Sequence, residues 1–133
     1  MSVLLDTHIW VWWLTPGSPL SAVEREALDK LGAHGEISLA AISLWEAQML
    51  HSKNRLELPV KFAEWIRRAA SPDVVAVMSL DTEVVLALDA LPAAFHGDPA
   101  DRLIVATARA HDLPLATHDA GIRKSRAVKL WKP

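Results

Sequence analysis

The chain has no cysteine. Without a thiolate it offers no argument for zinc or an iron–sulfur cluster, and the absence agrees with a reducing, cytoplasmic compartment. Long apolar runs are missing as well: the longest are strand-sized or interrupted by Glu and Asp, far short of the roughly 20 residues a membrane span needs. The opening Met1-Ser2-Val3-Leu4-Leu5-Asp6 lacks the basic region and long apolar core of a signal peptide, so a cytoplasmic protein without membrane contact is expected. A large charge of one sign is also lacking, since a net charge of −2 gives no global attraction to nucleic acid. From Ala120 to Pro133, however, Arg123, Lys124, Arg126, Lys129 and Lys132 occur with no acid among them. That stretch reads either as a local phosphate-contacting patch or as a solvated charged tail.

What is present is ordinary for a folded domain: 133 residues, 51% apolar and 23% charged. This supports one core and one domain over residues 1–133. Strand-like runs alternate with helix-length amphipathic segments, the signature of an α/β fold with a parallel sheet. Strands are expected at Val3–Leu5, Ile37–Ala40, Val74–Met78, Leu113–Ala116 and Val128–Leu130. Helices are expected over His8–Leu14, from Ser21 to near Gly32 behind a Ser21/Glu24 capping box, and over Ser43–His51. Further helices are expected over Val60–Ala70, from Asp81 or Thr82 to Leu91, and from Asp98 through about His111. In the last of these Asp98 is the N-cap and Pro99 the first helical residue.

Asp6, Glu46, Asp101 and Asp119 each stand where an apolar strand gives way to a helix or turn, and Asp98 lies one helical turn before Asp101. In a parallel sheet the carboxyl ends of the strands form one edge, where the ligand crevice lies. Carboxylates gathered there repel one another by about 1 kcal/mol per pair in water at 4 Å, and by several-fold more at protein-like dielectric. All-oxygen ligation of that kind is the chemistry of Mg²⁺ or Mn²⁺. Each acid also has a local role that needs no metal. Asp6 or Thr7 suits the cap of the following helix, Asp98 suits a cap, Asp119 suits a turn or cap, and Ser43-x-x-Glu46 fits a capping box. The case rests on their recurrence at one edge. His96 and His118 flank the acidic motifs, where histidines are more often hydrogen-bonded bystanders than ligands or proton shuttles.

Taken together, Leu4-Leu5-Asp6-Thr7-His8, Ser43-Leu44-Trp45-Glu46-Ala47, the run from His96 to Ala108 (HGDPADRLIVATA) and Leu115-Ala116-Thr117-His118-Asp119 resemble the PIN-domain ribonucleases. The likeness is greatest to the VapC-type toxins of bacterial toxin–antitoxin pairs, and it extends through Arg55-Leu56-Glu57-Leu58-Pro59 to the closing Val128-Lys129-Leu130-Trp131. It implies a three-layer α/β/α sandwich around a mostly parallel sheet of about five strands. It also implies a metal-dependent endoribonuclease whose acidic quartet is Asp6, Glu46, Asp101 and Asp119, with Asp98 accessory. Thr117 matches a Ser/Thr position suited to orienting water. Two departures stand out: Leu50 occupies a position where many such toxins carry lysine, and the chain has no tyrosine.

On this reading Mg²⁺ or Mn²⁺ binds a phosphodiester oxygen and activates a water. Asp6 and Asp101 contact metal directly, Glu46 binds metal or positions water, and Asp119 serves a second, weaker ion. Arg102 either braces the acids through a salt bridge or contacts phosphate, the salt bridge being preferred. The resemblance further implies an RNA substrate, a homodimer, and a cognate antitoxin laid into an apolar groove over the first helices. DNA would then be met at most indirectly, through that antitoxin. Trp10 and Trp13 share a helix face, so at least one of them is expected in the core, while Trp12 points elsewhere, to core or interface. Two other functions fit the same residues: a non-catalytic interaction module whose acids are only caps, and a metal-dependent nuclease acting on DNA.

Overall fold

In the computed structural model, which describes residues 2–95 and 97–133, four parallel strands form one sheet. The elements run β1 (Val3–Leu5), α1 (Thr7–Trp13), α2 (Ala22–Ala33), β2 (Ile37–Ala40), α3 (Ile42–Ser52), α4 (Phe62–Ala69) and β3 (Ala76–Met78). They continue through α5 (Thr82–Asp89), α6 (Pro99–Ala110), β4 (Leu115–Ala116) and α7 (Ala120–Ser125). The strand order is β3-β2-β1-β4, with Leu5 opposite Leu39 on one side and Ala116 on the other. The chain therefore grows outward from β1 in one direction and returns to add β4 in the other. This reversal makes the carboxyl ends of β1 and β4 a topological switch point, where open α/β sheets hold their ligands.

Strands covered on both faces are mostly apolar, and β1 and β2 are buried along their whole length with Ser38 the one polar residue in them. Because successive side chains alternate, Val3, Leu5, Ile37 and Leu39 face one helical layer with Trp10, Leu28 and Trp65. Leu4, Ala40 and Leu115 face the other, with Ile104, Val105 and Ile122. The result is the expected α/β/α sandwich. The fifth strand is reduced to a single parallel bridge between Leu115 and Leu130, because the tail meets β4 for only one residue pair. No helix among the described residues is long and apolar enough to cross a membrane.

Local chemistry accounts for most helix starts. Ser21 and Glu24 form the reciprocal capping box, and Asp81 and Asp98 accept from the N–H groups of Val84 and Asp101. Trp10 is fully buried, its indole N–H donating to the carbonyl of Ala69 at 3.0 Å. Trp12 is partly buried against that core, with its ring edge-on to His8 and His118. Helix α7 was not expected from the sequence, being only six residues long and largely polar. It starts because Asp119 caps it, through the N–H of Ile122 at 2.8 Å.

Candidate active site

Asp6 follows β1 directly and is 3% exposed. Its Oδ1 accepts from the N–H of Thr7 at 2.9 Å, and its Oδ2 accepts from the hydroxyl of Thr117 at 2.6 Å, across the β1–β4 seam. The side chain thus caps α1 and is also tied to the loop leaving β4. Burial raises the Asp6 pKa despite the neighbouring His8 and these hydrogen bonds. Burial lowers that of His8, whose Nδ1 lies 3.5 Å from Asp6 Oδ2.

Glu46 does not form the capping box that its spacing from Ser43 suggested. Helix α3 starts after Ala41 with no side-chain cap, and Ser43 is fully buried. Instead Ser43 Oγ lies 2.8 Å from Thr7 Oγ1, and that same hydroxyl donates to Glu46 Oε1 at 2.5 Å. Thr7, which the sequence suggested only as a cap, is the hinge between the ends of β1 and α3. Burial raises the pKa of Glu46, the Thr7 hydrogen bond opposes this, and the charges of Asp6 and Asp98 add to it.

Asp101 lies in the first turn of α6, one turn beyond its cap Asp98. Burial, followed by the charges of Asp98, Asp6, Asp119 and Glu46, pushes its carboxyl up to about 7. Carboxylates from the ends of β1 and β4, from α3 and from the start of α6 therefore act on Asp101, although up to 95 positions separate them from it in the chain. A cleft of about 630 Å³ is lined by Asp98, Asp101 and Asp119 together with Lys124 of α7. Thr117 stands between two of the acids: its Oγ1 donates to Asp6 and accepts from the N–H of Asp119 at 3.0 Å.

Arg102 departs from the preferred expectation. Its guanidinium donates to the carbonyl of Phe95 at 3.0 Å, and among the described residues it makes no ion pair with the acids. It ties the approach to α6 to the helix because the α6 turn aims it at that carbonyl. His118 also has local partners, with Nε2 2.5 Å from Glu24 Oε2 and its backbone N–H donating to His8 Nε2. His96 lies outside the described residues.

Among the described residues no three acids or histidines are gathered at metal-ligand spacing. The donor chemistry nevertheless suits Mg²⁺ or Mn²⁺: the carboxylates are hard oxygen donors whose charges add to the raised pKa of Asp6, Glu46 and Asp101. Mg²⁺ commonly keeps several waters, using one or two carboxylates together with substrate phosphate, so a closed protein cage is not its requirement.

A central parallel sheet with carboxylates at its switch point defines the class of fold, and comparison with known proteins agrees. The PIN domain family model matches residues 3–127. The chain is 35% identical over 133 residues to ribonuclease VapC22 of Mycobacterium tuberculosis (strain ATCC 25618 / H37Rv), covering 98% of both chains. It is similar in fold to the crystal structure of VapBC2 from Rickettsia felis bound to a DNA fragment from their promoter, with a TM-score of 0.73 and 18% identity over 99% of this chain and 100% of that one. FitAcB from Neisseria gonorrhoeae matches with a TM-score of 0.71 and 25% identity, over 98% of this chain and 96% of that one. The chain belongs to the PIN-domain family and is of the VapC type.

Proposed function

We propose that the protein is a metal-dependent endoribonuclease and the toxin of a toxin–antitoxin pair. The observation that carries this reading is the gathering of Asp6, Glu46, Asp98 and Asp119 around half-buried Asp101, whose carboxyl burial and those charges push up to about 7. Strongly perturbed acids grouped in a cleft are expensive to keep, and they concentrate where charge is needed for chemistry. The relationship to ribonuclease VapC22 supports RNA as the polymer.

In this proposal Asp6 and Asp101 hold Mg²⁺ or Mn²⁺, Glu46 completes the set or positions water, Asp119 serves a second ion, and Asp98 is accessory. A divalent cation bound there supplies Lewis-acid stabilisation of phosphodiester charge and a more acidic water. The chain supplies geometry. Thr117 fixes the Asp6 carboxylate and orients water, Thr7 fixes Glu46, and Arg102 steadies the start of α6. Hydrolysis leaves a 5′-phosphate and a 3′-hydroxyl.

The cognate partner in this reading is an antitoxin protein, by analogy with the VapBC2 and FitAcB assemblies. A second copy of the chain completes the assembly, and exposed Leu80, Val85 and Leu86 on and beside α5 offer it an apolar face. Contact with DNA would come only through the antitoxin, and the site of action would be the cytoplasm.

The test is cleavage of labelled single-stranded RNA and DNA of matched sequence, with Mg²⁺ or Mn²⁺ titrated into wild type and Asp101→Asn. Cation-dependent cutting of RNA by wild type, lost in the variant, is the expected result. Cutting confined to DNA would change the substrate, and no cutting of either polymer at any cation concentration would favour the interaction module.

A further inference from the structure

A second cleft, of about 230 Å³, shares Asp98 with the first and is lined by Trp45, Glu46, Leu50, Lys53, Arg55 and Asp98 itself. We propose that this cleft is the subsite for the nucleotide flanking the cleaved bond, with Trp45 stacking its base and Lys53 and Arg55 holding its phosphate. The inference rests on the ribonuclease reading above.

Trp45 is 51% exposed, while Trp10 and Trp65 are buried in the core. Its position is fixed from behind, because the next residue, Glu46, is held by Thr7. An indole presented on a rigid helix offers a flat apolar face, which stacks any nucleobase. The cleft is smaller than the roughly 300–1,000 Å³ typical of drug-sized sites, which suits a single ring system better than a base pair.

The two cations are placed by a closed turn. Helix α3 ends in the left-handed cap that Asn54 adopts at φ 55°. The N–H of Asn54 donates to the carbonyl of His51 at 3.1 Å, and that of Arg55 to Leu50 at 2.8 Å. This six-to-one and five-to-two pairing is the Schellman arrangement, and it folds Lys53 and Arg55 back beside Leu50 at the cleft. Neither side chain makes an ion pair among the described residues, although acids line the same cleft. On a chain of net charge −2, two uncommitted cations beside an acidic centre supply the local attraction that a phosphate backbone requires. Asp98 lines both clefts, which puts the second within reach of the nucleotide next to the one at the acids.

The test uses an Asp101→Asn background, so that binding is read without cleavage. A fluorescent single-stranded 12-nucleotide RNA is titrated by anisotropy, alongside the same strand with abasic positions. Trp45→Ala is expected to weaken binding of the intact strand about 5- to 150-fold, matching about 1–3 kcal/mol per stacked base. Trp45→Phe should retain most of the affinity, and the abasic strand should not distinguish Trp45→Ala from its parent. Lys53→Ala and Arg55→Ala should each reduce the slope of log affinity against log salt by about 0.7. Unchanged affinity in Trp45→Ala, equal losses on intact and abasic strands, or loss of self-association or antitoxin binding with RNA affinity intact would each overturn the proposal. If these binding results hold while wild type cuts no RNA, the nuclease reading fails, and with it the assignment to a cleaved bond, while nucleotide binding by the cleft stands.

Discussion

The hydroxyl of Thr7 donates to the carboxylate of Glu46, at 2.5 Å and across 39 positions of sequence. One side chain at the first turn of α1 thereby sets the direction of an acid on α3. Thr7→Val, nearly the same shape without the hydroxyl, should leave Glu46 and Ser43 without this partner. A loss of about 1–3 kcal/mol is expected by urea denaturation. Cleavage should fall at least tenfold while Thr7→Ser keeps most of it, and equal rates for Thr7→Val and wild type would remove Thr7 from the site.

Thr117 makes the corresponding tie on the other side of β1, donating to Asp6 and accepting from the N–H of Asp119. Thr117→Val breaks both bonds in a buried position. Calorimetric titration should then find weaker Mg²⁺ or Mn²⁺ binding, and stability should drop by about 1–3 kcal/mol. Cation affinity equal to wild type would show that Asp6 is oriented without it.

Asp101 predicts a pH dependence with a definite sign. Its folded carboxyl is raised from 3.8 to about 7, so between those limits the native state keeps a proton that the unfolded state has released. Metal-free stability should therefore fall as pH rises from about 4 to about 7 and level off above that. Asp6 and Glu46 shift in the same direction. Asp101→Asn removes one source of the slope and should be more stable than wild type at pH 8, by on the order of 1 kcal/mol once solvent screening is allowed for. Thermal melts across that range without cation would decide it, and a variant less stable than wild type at pH 8 would mean the carboxylate acts mainly as a favourable charge at the start of α6.

Cation should reverse this penalty. Mg²⁺ at about 100 times its dissociation constant should stabilise wild type by about 2.7 kcal/mol, and Asp101→Asn by much less at the same concentration. Chelation should return the melting temperature of wild type to its cation-free value, and identical cation responses in the two proteins would exclude Asp101 as a ligand.

Gly97 lies just before the cap of α6, and a Cβ there would stand 2.9 Å from the Phe95 ring and 3.0 Å from Asp101 Cβ. Phe95 is buried and cannot swing away. Gly97→Ala should therefore cost about 1–3 kcal/mol through overpacking and displace the first turn of α6. The measurement is urea denaturation paired with cleavage, both expected to decline. An unaltered cleavage rate would show that this turn tolerates movement.

Much of the architecture was legible along the chain. Apolar runs long enough for buried strands, the Ser21/Glu24 box and the Asp98-Pro99 start announce themselves because their interactions lie within a few residues. Helix α7 was hidden because six residues with little apolar content carry no periodicity. The fifth strand was overcounted because a tail that pairs at one residue looks, in sequence, like one that pairs along its length. The same limit explains the capping box that Ser43-x-x-Glu46 offered and did not form: the pair matches a local motif, but a partner 39 positions away took the carboxylate. Arg102 followed suit, its guanidinium going to a backbone carbonyl where an acid had been expected.

The order of residues by itself determined which segments become strands and helices and set Asp6 and Asp119 just beyond β1 and β4, since backbone preference and hydrophobic alternation act over a few positions. Only the tertiary structure decided which acids share one electric field, which threonine holds which carboxylate, and that Trp45 faces solvent while Trp10 does not. Those outcomes depend on the strand order β3-β2-β1-β4, which brings the ends of β1 and β4 side by side although more than a hundred residues lie between them. Coulomb interactions and hydrogen bonds depend on distance in space, and that distance is set when the sheet closes.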